Sequence, residues 1–434
     1  MLTDLEKNNI ANLFNKNSEL KKRLHFYFVS GALMTILLPP EYNNPFLLLI
    51  GINALSSNTL VSDFKQTIRN PAVIFPLIFW FLYLVSVSYS EDKQTAFKEV
   101  EKLAAIGFFP LFFAMGPKID TFQLEKLKWH FIISVSMLAL FTVLYSVSSM
   151  FNGGVFEFNW LALSYESLVS GVGVQPLYFS MFIALALFFL FEIQRVYKTG
   201  IAQILLIVLL FIYMIMLSSR MTTLAFFAIF AVYNVILALK NRKFLYQGLS
   251  FSFFLITAMF IIVFNPVNKK RFEEALNPKS NYQTDQYGGR SIRLEKWKCS
   301  IEVFSQSPVL GVGAGDLKTE LLKCYKTRSI DAALFHRFNS HNQYLNTIGQ
   351  IGLPGLALLI LMLIYSAKKA FDYNNDVFLA FVALFALCIL SESMFGRRWG
   401  IFFFALFYSV FHFFSVPGNN NSIIAWIKAQ FKNG

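Results

Sequence analysis

Apolar residues in this chain run together rather than alternating with polar ones. About twelve mostly apolar stretches stand out, near 25–41, 45–62, 71–90, 97–116, 129–150, 176–194, 200–217, 221–239, 246–265, 342–366, 377–392 and 399–416. A helix needs roughly 20 such residues to cross a bilayer, and these stretches are read as spans. The first is short and ends at Pro39-Pro40. The fourth opens on Lys98, Glu99, Glu101 and Lys102, which suits a start in the interface. Ahead of the first span, Leu5, Ile10, Leu13 and Leu20 suggest a short surface helix over residues 3–20. The basic residues Lys16, Lys21, Lys22 and Arg23 come with no apolar core or small-residue cleavage site. The first span is therefore expected to stay in the membrane and not to be removed as a signal peptide. No internal repeat, heptad array or low-complexity tract interrupts the pattern.

Composition agrees with this reading and excludes a soluble protein. Of the 434 residues 56% are hydrophobic and 15% charged, against about 25% charged in a typical soluble domain. There are 51 Phe, and the mean hydropathy is +0.53. The expected fold class is all-α: a polytopic helical membrane protein with about twelve transmembrane helices. It forms a single membrane domain over 1–434 with one large extramembrane loop at 267–340.

Charge gives the orientation. With the N-terminus in the cytoplasm, Lys65/Arg69, Lys118/Lys126/Lys128, Arg195/Lys198, Lys240/Arg242/Lys243, Lys368/Lys369 and the tail lysines Lys428 and Lys432 all fall inside, as the positive-inside rule asks. Both termini are then cytoplasmic. The outer loop at 151–175 has Glu157 and Glu166 and no Lys or Arg. The 267–340 segment carries 13 Lys or Arg against 8 Asp or Glu, and long loops cross regardless of charge. Arg220 and the pair Arg397-Arg398 lie on the outer side in short connections. They either snorkel to lipid headgroups or form an outward-facing anion site, since guanidinium forks bind phosphate bidentately.

Four segments carry candidate chemistry. Leu217-Ser218-Ser219-Arg220 puts an arginine at a helix end. Gly288-Gly289-Arg290-Ser291-Ile292-Arg293 opens an amphipathic helix over about 291–306, whose apolar positions are Ile292, Trp297, Ile301 and Phe304. Left alone, that helix would lie on headgroups. Ser307 to Asp316 includes Gly311, Gly313 and Gly315 but lacks the Lys-Ser/Thr of a nucleotide P-loop, so a tight turn between two loop helices is expected. His336 to Leu345 holds His336, His341 and Asn342 where the loop meets the next span. No Cys or carboxylate accompanies the histidines at a metal-ligand spacing. A histidine at a helix start is a candidate general base. Cys299 and Cys324 share the 267–340 loop and are either disulfide-bonded or both reduced; Cys388 is expected to be inert packing.

Together these pieces resemble the bacterial O-antigen ligase and O-antigen polymerase-like membrane family. The resemblance rests on Ser219-Arg220 opening a helix, on Arg293-Leu294-Glu295-Lys296-Trp297, and on Pro308-Val309-Leu310-Gly311-Val312-Gly313-Ala314-Gly315. It rests also on His341-Asn342-Gln343-Tyr344-Leu345 with Gly349, Gly352 and Gly355 behind it, and on Glu392-Ser393-Met394 with Gly400. It implies a GT-C-like glycosyltransferase of the bacterial inner membrane. The donor would be an undecaprenyl-pyrophosphate-linked glycan, and the acceptor a hydroxyl of lipid A core or another glycan, at the periplasmic face. Membrane lipids would be the surroundings, with no nucleic acid, metal or other cofactor. Carried over by motif, His341 would be catalytic. Arg220, Arg293 and Arg290 would bind the donor pyrophosphate, Arg293 favoured over Arg290 by its spacing to Trp297. His336, Asn342, Arg397 and Arg398 would support the site. Where many relatives have His-Pro near the sixth span, this chain has Gln175-Pro176. The alternatives are a polymerase of lipid-linked repeat units and, from another class, a polysaccharide transporter or flippase.

The topology makes a testable prediction. A Ser280→Cys variant in intact cells should react with a membrane-impermeant thiol reagent; reaction only after the inner membrane is breached would reverse the orientation.

Overall fold

The computed structural model describes residues 4–57, 60–152, 155–196, 200–241, 244–276, 290–414, 424–425 and 428. Each of the twelve apolar stretches is largely helical. In chain order the helices are α1 (Asp4–Thr35), α2 (Pro40–Leu55), α3 (Leu60–Thr67), α4 (Pro71–Tyr89), α5 (Lys93–Met115) and α6 (Thr121–Ser148). A small antiparallel pair follows, β1 (Phe151–Asn152) and β2 (Val155–Phe156). Then come α7 (Tyr165–Leu168), α8 (Pro176–Val196), α9 (Ile201–Met216), α10 (Arg220–Asn241), α11 (Phe244–Phe264) and α12 (Pro266–Leu276). The last group is α13 (Arg290–Gln306), α14 (Leu317–Thr327), α15 (Asp331–Phe335), α16 (Gln343–Asp372), α17 (Asp376–Cys388), a 3-10 turn at Met394–Gly396 and α18 (Arg398–Phe414). The expected surface helix and first span are one continuous helix, α1.

The protein is an all-helical multi-pass membrane protein with six to seven candidate spans, fewer than the twelve expected. Six helices among the described residues, α4, α6, α8, α10, α11 and α16, are long and apolar enough to cross, and α2 with α3 adds a seventh if they form one broken span. Apolarity alone did not measure length. At 1.5 Å per residue, α17 covers only about 20 Å, short of a hydrocarbon layer of about 30 Å; α9 and α18 are likewise short. The first half of α5 carries the charges Lys98, Glu99, Glu101 and Lys102.

Local chemistry starts the helices. Asn70 accepts from Ala72 N and Pro71 follows at the first helical position, where a missing N–H costs nothing. Asp120 and Gln123 form a capping box at α6, and Asn375 caps α17. In α8 89% of the spanning residues are buried, against 17% in α11, so α8 is the central helix and α11 faces lipid. Phe182 of α8 packs on Phe403, and Phe131 of α6 on Phe407 of α18, with ring centroids 4.9 Å apart in both pairs. Phe189 meets Phe131 and Phe411.

The polar segment between α11 and α16 has a small core of its own, built from Val303, Leu317, Leu321, Tyr325, Ile330 and Ala333 around the Cys299–Cys324 disulfide. That disulfide joins α13 to α14 and corrects the apolar stripe expected on α13. The residues turned inward are Ile292, Lys296, Cys299, Ser300 and Val303, while Ile301 is 55% exposed. The fixed direction of Cys299 decides which face is inside, and it carries Lys296 in with it.

The glycine-rich 307–316 segment is the tight turn between α13 and α14, and it grips a break in α16. Ile351 and Gly352 leave helical geometry there. Val312 N and Gly313 N donate to the carbonyls of Gly349 (2.8 Å) and Gln350 (3.2 Å), and Leu353 N donates to Pro308 O (3.0 Å). Backbone N–H groups that would cradle a phosphate are used on α16. On its other side, Asp316 accepts from Glu91 N (2.7 Å) and Asp92 N (2.9 Å) in the α4–α5 connection.

Gly352 has φ +67, and a Cβ there would sit 2.0 Å from Val309 O. Backbone on both sides leaves no room to relax. Gly352→Ala should lower the thermal midpoint in detergent by several degrees. Gly248→Ala, on α11 with nothing within 4 Å of the new methyl, should leave it unchanged or raise it. Equal midpoints for the two variants would contradict the clamp.

Candidate functional site

The start of α16 is fixed to the connection between α17 and α18. Gln343 donates its backbone N–H to Ile389 O (2.8 Å), and its side-chain Oε1 accepts from Phe395 N (2.8 Å). Tyr344 OH donates to Ala386 O (3.1 Å). Asn342 caps the helix by accepting from Leu345 N (3.1 Å), so its buried side chain holds the turn. The two Gln343 bonds bracket Glu392 in sequence and bring its carboxylate opposite the residue two before Gln343. His341 Nδ1 lies 3.1 Å from Glu392 Oε2. The backbone of His341 is left-handed, φ +45, a conformation uncommon outside glycine. Its N–H is held by Asn339 Oδ1 at 2.9 Å.

Helix α13 brings cations to the same place. Arg293 and Lys296 are one turn apart and both act electrostatically on Glu392. Burial alone would raise the Glu392 carboxyl, but the hydrogen bond and charge of His341, with Arg293 and Lys296 behind it, hold it below its ordinary value. An ionised carboxylate only accepts, so His341 Nδ1 is the donor in this contact, and Nε2 is the ring nitrogen that Glu392 does not engage. Lys296 is 2% exposed. Burial, with repulsion from Arg293 added, lowers its ammonium to about 7, with Glu392 pulling the other way. Burial also lowers Arg293, with Arg271 adding to it and Glu392 opposing; from so high a starting value the guanidinium remains charged.

Phe338 is the common neighbour. Its ring lies 4.4 Å from Lys296 Nζ and 5.3 Å, centroid to centroid, from both His341 and His336. His336 is thus on the rim of the site, with the Phe338 ring touching both histidines.

Arg220 begins α10 at the same end of the bundle, where Thr222 Oγ1 lies 3.9 Å from Cys388 Sγ at the end of α17. The turn before it is braced by α12. Ser218 hydrogen-bonds Asn268, and Arg271 Nε donates to Ser218 O at 3.4 Å. Arg271 also stacks over Tyr165, with its Cζ 3.4 Å from the ring centroid. Arg397 is exposed and within electrostatic reach of Tyr178, which Glu392 also reaches. Arg398 is turned away: its Nη2 donates to Leu38 O at 2.6 Å, tying α18 to the end of α1. The side chain of Arg290 lies outside the described residues.

The structure therefore brings together His341, Arg293 and, on the rim, His336 and Arg397. It places Arg220 at the same end and gives Arg398 a tying role. Sequence reasoning had given no site role to Lys296, Glu392, Arg271 or Tyr165. Lys296 had a signal, its spacing of three from Arg293 on one helix. Glu392 had one too, as an acid closing an apolar stretch. Nothing in the sequence singled out Arg271 or Tyr165. Among the described residues no three His, Cys, Asp or Glu side chains group as a metal site.

Comparison with known families agrees with the resemblance in the sequence. Residues 205–360 match the O-antigen ligase family model. The match runs from α9 into α16, so it includes Arg220, Arg293, Lys296 and His341 and stops before Glu392. No curated protein matches the chain. The chain is a multi-pass membrane protein with an O-antigen ligase domain.

The depressed Glu392 carboxyl fixes a pH dependence. Ionisation of Glu392 stabilises the fold above its ordinary value of 4.5 and stops doing so as the pH falls through the lower folded value. Glu392→Gln should lower the thermal midpoint at pH 7, and its gap from the wild type should close as the pH falls below 4.5 and through the lower folded value. A gap that stays constant with pH would show that the carboxylate charge is not what the site holds.

Proposed function

We propose that this protein is a glycosyltransferase of the O-antigen ligase type, working at the periplasmic face of the bacterial inner membrane without metal or other cofactor. It transfers a glycan from an undecaprenyl-pyrophosphate donor to an acceptor hydroxyl such as one of lipid A core. The observation that carries the reading is the His341–Glu392 contact, set among Arg293, Lys296 and Arg271 at one end of the bundle.

Each part has a task in that reaction. The acceptor oxygen attacks the anomeric carbon, its proton passes to His341 Nε2, and the C1–O bond to the pyrophosphate breaks. Glu392 holds the ring by Nδ1 and stabilises the imidazolium that forms. Charge builds on the departing undecaprenyl pyrophosphate, and Arg293 and Arg220 offset it from preset positions, the arrangement that lowers a barrier most. Arg290 is a further pyrophosphate contact, and His336, Asn342 and Arg397 are supporting residues. The pyrophosphate brings its own leaving group, which suits a compartment without a nucleotide supply. Helices α13 to α15 cover the reacting sugar while the apolar bundle holds the polyprenyl chain. The same machinery makes a polymerase when the acceptor is a second lipid-linked glycan, and assays with both acceptors separate the two.

His341→Ala should cut transfer from a purified lipid-linked donor by at least about 100-fold, the lower range for a general base, with the protein still folded and inserted. Arg220→Ala and Arg293→Ala should chiefly raise the donor KM. Lysine at either position should rescue only in part, because an ammonium lacks the bidentate fork. His336→Ala should be milder. Near-normal turnover by His341→Ala at neutral pH would remove the base assignment.

A further inference from the structure

Lys296 is an uncommon lysine. It sits one turn after Arg293 on the inner face of α13, is 2% exposed, and rests its ammonium over the face of Phe338 at 4.4 Å. Phe338 in turn meets the edge of His341. Long basic side chains usually lead their charge out to water; this one leads it into the site. The charged and titratable groups around it are few. Arg293 comes from its own helix and Glu392 from the connection before α18. His341 and His336 come from across the Phe338 ring. Helix α14, packed against α13, brings Arg328, but onto Glu295 and Glu302. Glu392 is already engaged by His341.

We propose that Lys296 contacts the donor pyrophosphate and takes up a proton as that anion binds, so that donor binding is linked to protonation. The inference rests on the donor placement proposed above. Without an anion, Arg293 and a charged Lys296 facing a single carboxylate, with Arg271 near Arg293, would hold more positive charge than a buried place accommodates. Burial and Arg293 set the lysine to about 7, so near neutrality without donor Lys296 is charged only part of the time. An arriving pyrophosphate favours the ammonium, and the proton comes from solvent. A pyrophosphate ester substituted at both ends has no group of its own titrating near pH 7. Donor affinity should therefore be highest below pH 7 and fall as the pH rises through it, because binding above that point must also recruit a proton.

The experiment is calorimetry on the full-length protein in lipid nanodiscs at pH 7.5, in two buffers of different ionisation enthalpy. The probe is a polyprenyl-pyrophosphate-linked sugar with no acceptor present. The wild type should take up roughly three-quarters of a proton per donor bound, as expected for a group of pKa about 7. Lys296→Met should bind about tenfold more weakly with no uptake. Lys296→Arg should bind close to wild type, also with no uptake, since arginine stays charged throughout. A packing role alone would not separate affinity from proton uptake in this way. If Lys296→Met does not fold, Lys296→Arg decides: loss of uptake supports the proposal and wild-type uptake overturns it. Wild-type binding without uptake, or uptake that persists in Lys296→Met, overturns the role of Lys296 and leaves the transferase reading intact. No donor binding by the wild type overturns both.

Discussion

Gln343 donates its backbone N–H to Ile389 and accepts the N–H of Phe395 at its side chain, both at 2.8 Å. These two bonds join the first turn of α16 to both sides of the segment that carries Glu392. A backbone pairing of this kind is short-ranged and directional, so it leaves Glu392 little choice of where to stand. His341, two residues before Gln343, then meets Glu392 with Nδ1 3.1 Å from Oε2. The glycine-rich turn holds the same helix one level deeper, at the Ile351–Gly352 break, and Asp316 fastens that turn to the α4–α5 connection. The site is thus assembled by hydrogen bonds to the backbone between segments far apart in sequence, from the α4–α5 connection to the segment that carries Glu392.

Charge follows from that assembly. One carboxylate, Glu392, faces His341, Arg293 and Lys296, and Arg271 stands within electrostatic reach of Arg293. The positive side chains outnumber the one carboxylate, and this excess of cations underlies the proposal that the site receives an anion. Tyr165 lessens the cost by spreading its ring under Arg271, a cation–π contact worth more once water is excluded.

The sequence made the spans easy to locate and hard to count. Apolar runs mark where helices lie, but whether a helix such as α17 reaches across depends on its 13-residue length and on what packs beside it. Arg220, Arg293 and His341 were legible because each sits in a recognisable string at a helix start. Lys296 was hidden in the very string that revealed Arg293. Of the expected apolar stripe Ile292 is buried but Ile301 is exposed, and the inner face is the one that carries Val303 and the Cys299–Cys324 link. Glu392 was seen as part of a motif but had no partner until the fold brought His341 to it. The Arg397-Arg398 pair looked uniform in sequence. One of the two is spent on a carbonyl 360 residues away, a contact that no local pattern encodes.

The central claim is that the His341–Glu392 pair and the cations of α13 form a donor site at one end of the bundle. A structure of the protein in lipid nanodiscs with a polyprenyl-pyrophosphate-linked sugar bound tests it most directly. The account predicts the pyrophosphate within hydrogen-bonding distance of Arg293, with the anomeric carbon facing His341 Nε2 and the polyprenyl chain running along the helices. A pyrophosphate bound at the opposite end, beside Arg195–Asp376 and Lys128–Glu192, would contradict it.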